Sequence, residues 1–560
     1  MKYDAIVIGS GMSGGWAAKE LCEGGLKTLV LERGRKVEHV KDYVTMNDDK
    51  WDYDLKGRPR PDTKDRQFKQ ARTGYTTRPE MAHWFVDDVE HPYNEEKRFD
   101  WMRGYQTGGR TIAWGRQSYR MGDLDFEANR KEGVGVDWPV RYADIKPWYD
   151  KVEEFIGVSG RNIGIEQIPD GKLLPPMELN VVEKDLQAKM ASWGTSHLMT
   201  NGRTAHITGD KQFEGRVKCQ FRSRCNRGCP YGAYFSSLSS TLPAALSTGN
   251  LTIQNNAIVH SIEYDEKTGR ASGVNVIDAE TKEKSTIYAR IIFCCASSMA
   301  STAILLNSRS ERFPTGMGND SGELGHNIMD HHLGIGASAE IEGFDDKYYR
   351  GRRPSGFYIP RFSNMDEQST SDKFIRGYGF QGSASRTNWT RGIRELSIGE
   401  PLKQELIAPG PWRIGMMAFG EILPHHDNHM RLDFDKRDQW GIPTVTFSAE
   451  LKENEINMRE DMRQQSKMIL EKAGYKNVQV FENQYGIGLG IHEMGTARMG
   501  RDPKTSVLNE YNAIHEVPNV FVTDGAFMTS AACQNPSLTY MAFTARAADY
   551  AIKAFKENRI

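Results

Sequence analysis

The hydrophobic pattern is densest at the start of the chain. Tyr3-Asp4-Ala5-Ile6-Val7-Ile8 carries a short apolar run without alternation, which is how a strand buried on both faces reads. Gly9-Ser10-Gly11-Met12-Ser13-Gly14-Gly15 interrupts it, and Trp16-Ala17-Ala18-Lys19-Glu20-Leu21 resumes with helix composition. A second apolar run, Lys27-Thr28-Leu29-Val30-Leu31, ends at Glu32. The order strand, turn, helix, strand is predicted. Arg290-Ile291-Ile292-Phe293-Cys294-Cys295-Ala296 predicts another buried strand, leading into a helix over Ser298–Asn307. Val520-Phe521-Val522-Thr523 predicts a strand that stops at Asp524-Gly525, and a long helix, Leu538–Glu557, follows Asn535-Pro536.

Between these blocks the pattern changes. Residues 40–100 are polar and punctuated by Pro and Gly, as in an excursion of long loops. Leu251 through Tyr264, then Ala271 through Val276, reads as a strand pair. Residues 335–480 mix alternating, strand-like stretches with one helix, Glu453–Ala473, whose charged face is solvated. Nucleotide-type features therefore recur at both ends and in the middle. That arrangement predicts a discontinuous cofactor domain, residues 1–40, 101–125, 215–334 and 488–560. Residues 41–100, 126–214 and 335–487 then form a substrate domain and cap loops.

Composition narrows the class without naming it. A chain of 560 residues exceeds one ordinary core. Lys+Arg 73 against Asp+Glu 74 leaves a net charge of -1, which favours neither nucleic acid nor an anionic membrane. No apolar run approaches the ~18 residues of a membrane span. Met1-Lys2-Tyr3-Asp4 runs straight into a strand with no signal-peptide pattern, so the expected compartment is the cytoplasm, or the periplasm by export with a partner. The 11 Trp and 22 Tyr could stack on a sugar ring, although such rings also fill large cores.

The turn after the first strand carries the clearest chemistry. Gly9 permits a tight turn, Gly11 lets backbone approach a pyrophosphate, and Gly14 allows close helix–strand packing. The helix N-terminus beside Ser13 offers free N–H groups to phosphates. Glu32, about 20 residues on, stands where a carboxylate accepts from ribose hydroxyls and would repel a 2′-phosphate. A plain Gly-rich turn between strands would not need Glu32. A second Gly-rich feature, Gly104-Tyr105-Gln106-Thr107-Gly108-Gly109-Arg110-Thr111, precedes Ile112-Ala113-Trp114-Gly115.

Several blocks together resemble the glucose–methanol–choline (GMC) oxidoreductase family over nearly the whole chain. They are the Gly9–Gly14 loop with Glu32, Gly108-Gly109, Asn256-Ala257-Ile258-Val259, and Gly322 through His331. The most specific are His492-Glu493-Met494-Gly495-Thr496-Ala497-Arg498-Met499-Gly500 and Asp524-Gly525 with Asn535-Pro536-Ser537-Leu538-Thr539. Within the family the chain is most similar to bacterial sugar dehydrogenases of the glucoside 3-dehydrogenase and fructose dehydrogenase type.

The resemblance implies a Rossmann-type FAD domain, α/β in class, and an α+β substrate domain built on an antiparallel sheet. It implies FAD contacts at Gly109, Thr111, Val259, Asp524, Gly525 and Thr539 beside those of the first turn. Pyranose oxidases attach flavin through a histidine whose matching position here is Ala113, so FAD is expected to be non-covalent. His492 becomes the base that takes the hydroxyl proton, and Asn535 the group that holds the substrate oxygen. A neutral imidazole, with an ordinary pKa of about 6.5, suits that task. His331 and His332 beside Asp330 have poor metal spacing and are expected in structural hydrogen bonds.

Cys219, Cys225 and Cys229, spaced Cys-x5-Cys-x3-Cys-Pro, resemble the stretch that holds a 3Fe-4S cluster in sugar dehydrogenases with separate electron acceptors. Arg222 stands where a fourth cysteine could fall. An iron–sulfur cluster, reduced buried thiols, and a disulfide or zinc site all stay open. The expected activity is oxidation of a secondary hydroxyl of a sugar or glycoside, C3 favoured, to a ketone. Electrons would pass to an external cytochrome or quinone, with a small subunit as partner and no nucleic acid. The rivals are an oxidase that reduces oxygen, a flavin-containing lyase without redox turnover, and a non-catalytic FAD-fold binding protein.

Overall fold

The computed structural model describes residues 2–194, 197–347, 355–386, 398–407, 410–483 and 485–560. Parts of the predicted substrate domain, 348–354 and 387–397, lie outside the described residues. The opening unit forms as the pattern predicts: β1 (Ala5–Ile8), α1 (Met12–Glu23) and β2 (Thr28–Leu31). β1 sits in the middle of a five-stranded sheet, pairing in parallel with β2 on one side and with Ile291–Cys294 on the other. Val520–Val522 extends the sheet beyond Ile291–Cys294, and Leu251–Gln254 extends it beyond β2, both in parallel. All four residues of β1 and of β2 are buried because both faces are covered, which is why neither run alternates. On one face α1 packs with the C-terminal helix, Ser537–Lys556. Ala547, Ala548, Ala551 and Ala554 share a core with Ala17, Ala18 and Leu21, so small side chains let the two helices approach closely.

The predicted strand pair differs in one respect. Leu251–Gln254 belongs to the parallel sheet, while Ala257–Asp265 pairs antiparallel with Arg270–Asp278. The break falls at Asn256, which holds a left-handed φ of 55°. Asn tolerates that conformation better than most residues, and the reversal it makes turns one apolar run into two strands in different sheets.

The other large layer is a six-stranded sheet in the order Lys476–Glu482, Ile335–Ile341, Trp412–Gly420, Tyr378–Arg386, Phe357–Ile359, Thr200–Asn201. Every recorded pairing in it is antiparallel. One face carries the helix Glu453–Lys472, whose Met458, Met462, Ile469 and Leu470 join Ile414, Met416 and Ala418 in one core. Burying each of the Met, Ile and Leu side chains contributes about 1.5–3 kcal/mol. Alternation along Trp412–Gly420 sends Met417 and Phe419 to the opposite face, where they line a large cavity. Among the described residues, no helix is long and apolar enough to cross a membrane.

Candidate active site

The cavity, about 1280 Å³, lies between the carboxyl ends of the parallel strands and the open face of the antiparallel sheet. Its parallel-sheet wall is built from residues at or just beyond strand ends: Gly9, Glu32, Cys295 and Asp524. Open α/β sheets bind ligands at that edge, because the chain there is released from the ladder and its helix N-termini face outward.

The first turn is shaped by backbone contact. Gly9 has φ +93°, and a Cβ on it would stand 2.6 Å from the Cys295 carbonyl oxygen. A Cβ on Gly14 would stand 2.0 Å from the Gly9 carbonyl oxygen, whereas one on Gly11 would meet nothing within 4 Å. Gly14 is thus closed by packing, and Gly11 opens onto the cavity. The N-terminus of α1 has no side-chain cap, so its first N–H groups are free for an outside acceptor. An uncapped helix end in a glycine cradle on a cavity fits the pyrophosphate of FAD. Ser13, Val259, Gly109, Thr111 and Gly525 line the same cavity. Gly108 and Gly109 fold onto the first turn: the Gly108 N–H donates to Ser10 Oγ at 2.9 Å, and a Cβ on Gly109 would lie 3.4 Å from Gly11 Cα.

Two carboxylates expected to serve the cofactor are already engaged by the chain. Glu32 accepts from the Ser10 hydroxyl, from Ser10 N–H at 3.1 Å and from Gly34 N–H at 2.9 Å. Asp524 accepts from the Ser301 hydroxyl and from Ala526 N–H at 3.1 Å. Burial raises the pKa of both, that of Asp524 to about 6. Thr539 does not line the cavity. It is fully buried in the first turn of the C-terminal helix, and its Oγ1 shares a 2.8 Å hydrogen bond with Tyr149 Oη. Ala113 lines the cavity with no nucleophilic atom to offer a flavin.

His492 and Asn535 both line the cavity, although they are 43 positions apart in the chain. Burial is the first cause that holds the His492 imidazole well below its ordinary value, followed by the nearness of His331 and of the Arg110 guanidinium. Its backbone N–H donates at 3.0 Å to Asp330, which also accepts from Gly488 N–H at 2.8 Å and Gly490 N–H at 2.9 Å. The Asp330 carboxyl is fully buried, and burial raises its pKa to about 7. Asn535 Oδ1 accepts from Gln381 Nε2, which turns the amide nitrogen into the free donor of that side chain. Gln381 comes from the antiparallel sheet, paired across the strands with Met417.

Several participants were not foreseen. Arg110 and the 2%-exposed Glu493 side chain form an ion pair at 2.8 Å on the cavity wall. Tyr540 presents there a buried hydroxyl with no hydrogen-bond partner among the described residues. Gln381 carries no local motif, and only its strand register places it. Of the two histidines expected in structural hydrogen bonds, His331 makes them with Ala531, Ala532 and His492, whereas both buried ring nitrogens of His332 lack a hydrogen-bond partner among the described residues.

Cys219, Cys225 and Cys229 surround a separate, small cavity with His206. All seven cysteines are free thiols, and burial pushes Cys219 up to about 11. The Cys225 sulfur lies 3.9 Å from His206 Nε2. Among the described residues, no three His, Cys, Asp or Glu are arranged to hold a metal ion. The arrangement thus gives no support to an iron–sulfur cluster or zinc, and no disulfide closes.

A family model described as GMC oxidoreductase matches residues 3–333, and a second of the same description matches 424–544. The chain is 27% identical to a 2-methyl-1,2-propanediol dehydrogenase of Mycolicibacterium austroafricanum, covering 99% of this chain and 96% of that protein. It is 26% identical to a fructose dehydrogenase large subunit of Gluconobacter japonicus, covering 100% and 99%. Among solved structures, pyridoxine 4-oxidase from Mesorbium loti superposes with a TM-score of 0.61 at 15% identity, covering 98% of each chain. That likeness shows the same fold.

Proposed function

The chain belongs to the GMC oxidoreductase family, and from that premise we propose that it is an FAD-dependent dehydrogenase of a sugar or glycoside. The reaction is oxidation of a secondary hydroxyl, C3 favoured, to a ketone. One observation carries this reading. An imidazole held neutral and an amide donor face one cavity whose far wall is a dinucleotide turn.

Gly9, Gly11, Ser13, Glu32, Gly109, Thr111, Val259, Asp524 and Gly525 would hold the cofactor without a covalent bond. When bound, FAD supplies the two-electron acceptor that takes the carbinol hydrogen as hydride. His492 takes the hydroxyl proton, which lets electron density build on the substrate oxygen. The Asn535 amide donates to that oxygen and, being uncharged, orients it without competing for the proton. Met417 and Phe419 wall off the sheet side and limit water.

The two relatives above are named as dehydrogenases of a small diol and of fructose. That supports a polyhydroxy substrate and an external electron acceptor, cytochrome or quinone. The large-subunit designation of the fructose enzyme supports a small partner subunit. The C3 position rests on resemblance alone.

The test is anaerobic mixing of the FAD-loaded protein with a panel of methyl glycosides, fructose and 1,2-diols, followed by flavin bleaching. Bleaching by a glycoside, with a 3-keto product and turnover restored by an artificial acceptor, is expected. Fast reoxidation by air with stoichiometric peroxide would move the reading to an oxidase. If no panel member bleaches the flavin, the dehydrogenase reading fails.

A further inference from the structure

His331 is fully buried, and both of its ring nitrogens are engaged. Nε2 lies 3.2 Å from the Ala531 carbonyl oxygen and 2.9 Å from that of Ala532. Carbonyl oxygens only accept, so Nε2 carries the proton. Nδ1 of His331 lies 2.9 Å from Nδ1 of His492, with the two rings edge to face at 78°. A neutral imidazole has one protonated nitrogen, so His331 Nδ1 is the acceptor and the shared proton belongs to His492 Nδ1. His331 is neutral because burial takes its pKa down to about 4. His492 Nε2 is left bare, without a hydrogen-bond partner among the described residues, on a ring that lines the cavity.

We propose that His331 is a positioning residue: it fixes the tautomer of His492 through one nitrogen and anchors the loop that carries Asn535 through the other. This deepens the reading of His492 as the base and rests on it. Three features support a dedicated role over a merely satisfied core histidine. The two accepting carbonyls come three and four residues before Asn535, and Ala532 is held at a left-handed φ of 56°. Asp330, the residue before His331, grips the backbone N–H of His492, so consecutive residues hold that residue's ring and main chain. Ile491, immediately before His492, also has a left-handed φ, 62°. A residue other than glycine rarely adopts that conformation, and here the surrounding contacts hold it. The base and the oxygen-holding amide, from distant parts of the chain, are thereby set against each other by one imidazole.

The first measurement needs no mutation. In FAD-loaded protein labelled with 15N-histidine, with the His492 signals assigned by their loss in His492→Gln, Nδ1 is expected to be protonated and Nε2 bare. A protonated Nε2 would overturn the proposal. The second measurement is anaerobic flavin reduction by fructose, or by 1,2-propanediol if that is what reduces the wild type. His331→Leu removes the acceptor and leaves the His492 ring unfixed, which should slow reduction on the order of 10²-fold, the cost of a misplaced reacting group, while FAD content is retained. His331→Asn places Oδ1 where Nδ1 stood but lacks the Nε2 donor to the loop, so it should reduce about tenfold faster than His331→Leu without reaching the wild-type rate. Equal losses in the two variants, or no loss in either, would overturn it. His492→Ala separates the two claims. Should that variant reduce its flavin normally, the base reading itself falls; should it be inactive while His331→Leu is unimpaired, only the role of His331 falls.

Discussion

At the scale of single residues, the site depends on which protons are absent. Only unprotonated His492 can accept from a hydroxyl, and its pKa is held below the ordinary 6.5. Protonation therefore sets in only below that value. In the FAD-loaded enzyme the acid limb of kcat/KM is expected below pH 6.5, and a limb centred above 7 would contradict the assignment. Gly14 shows the same sensitivity through packing. Its missing Cβ would stand 2.0 Å from a backbone oxygen that cannot swing away. Gly14→Ala should cost more than the about 1–3 kcal/mol of ordinary overpacking, seen as a lower melting temperature and loss of bound FAD. Arg110→Met should destabilise by about 3–5 kcal/mol in urea titration, because it leaves the buried Glu493 carboxylate without its cation.

At the scale of elements, short segments with few bonds of their own are held by groups from elsewhere. Residues 488–492 have no ladder, and Asp330 supplies the acceptor for three of their N–H groups. Asp330→Ala should therefore cost at least about 3 kcal/mol, since each buried donor left unpaired costs about 1–3. Asp330→Asn keeps one acceptor oxygen and should recover part of that loss in the same denaturation experiment. The antiparallel strands act differently. Their pleat alone decides that Met416 and Ala418 enter the helix-covered core while Met417 and Phe419 face the cavity. Gln381 reaches Asn535 because its register with Met417 puts it on that cavity face.

At the scale of the whole molecule, the parallel sheet is assembled from segments at residues 5–31, 251–254, 291–294 and 520–522. Its last strand and the C-terminal helix arrive more than 500 positions after the first. A chain cut after His515 loses Val520–Val522 from the edge of Ile291–Cys294, and loses the alanine face that packs on α1. Such a chain should retain no FAD after gel filtration and show no cooperative melt. Retained flavin would mean that the first 515 residues fold without that strand and helix.

The first turn was legible residue by residue, because a glycine needed for φ > 0 or for close approach leaves a mark in the sequence wherever it occurs. The buried strands and long helices were legible too, since continuous apolar runs and helical composition are local properties. His492 and Asn535 came from motif resemblance, and the fold brings both to the cavity. The sequence could not show that Glu32 and Asp524 spend most of their acceptor capacity on the chain itself, or that Thr539 turns to Tyr149. It could not show that Asn256 splits one apolar run between two sheets. Nor did it reveal the roles of Gln381, Arg110 and His331. Those depend on distances between residues far apart in the chain, and side-chain chemistry at such distances is fixed only once the sheets have closed the cavity. Sequence determined the glycine cradle, a local property of the backbone; only tertiary structure decided that His492 and Asn535 meet at one cavity and that His492 Nδ1, not Nε2, faces His331.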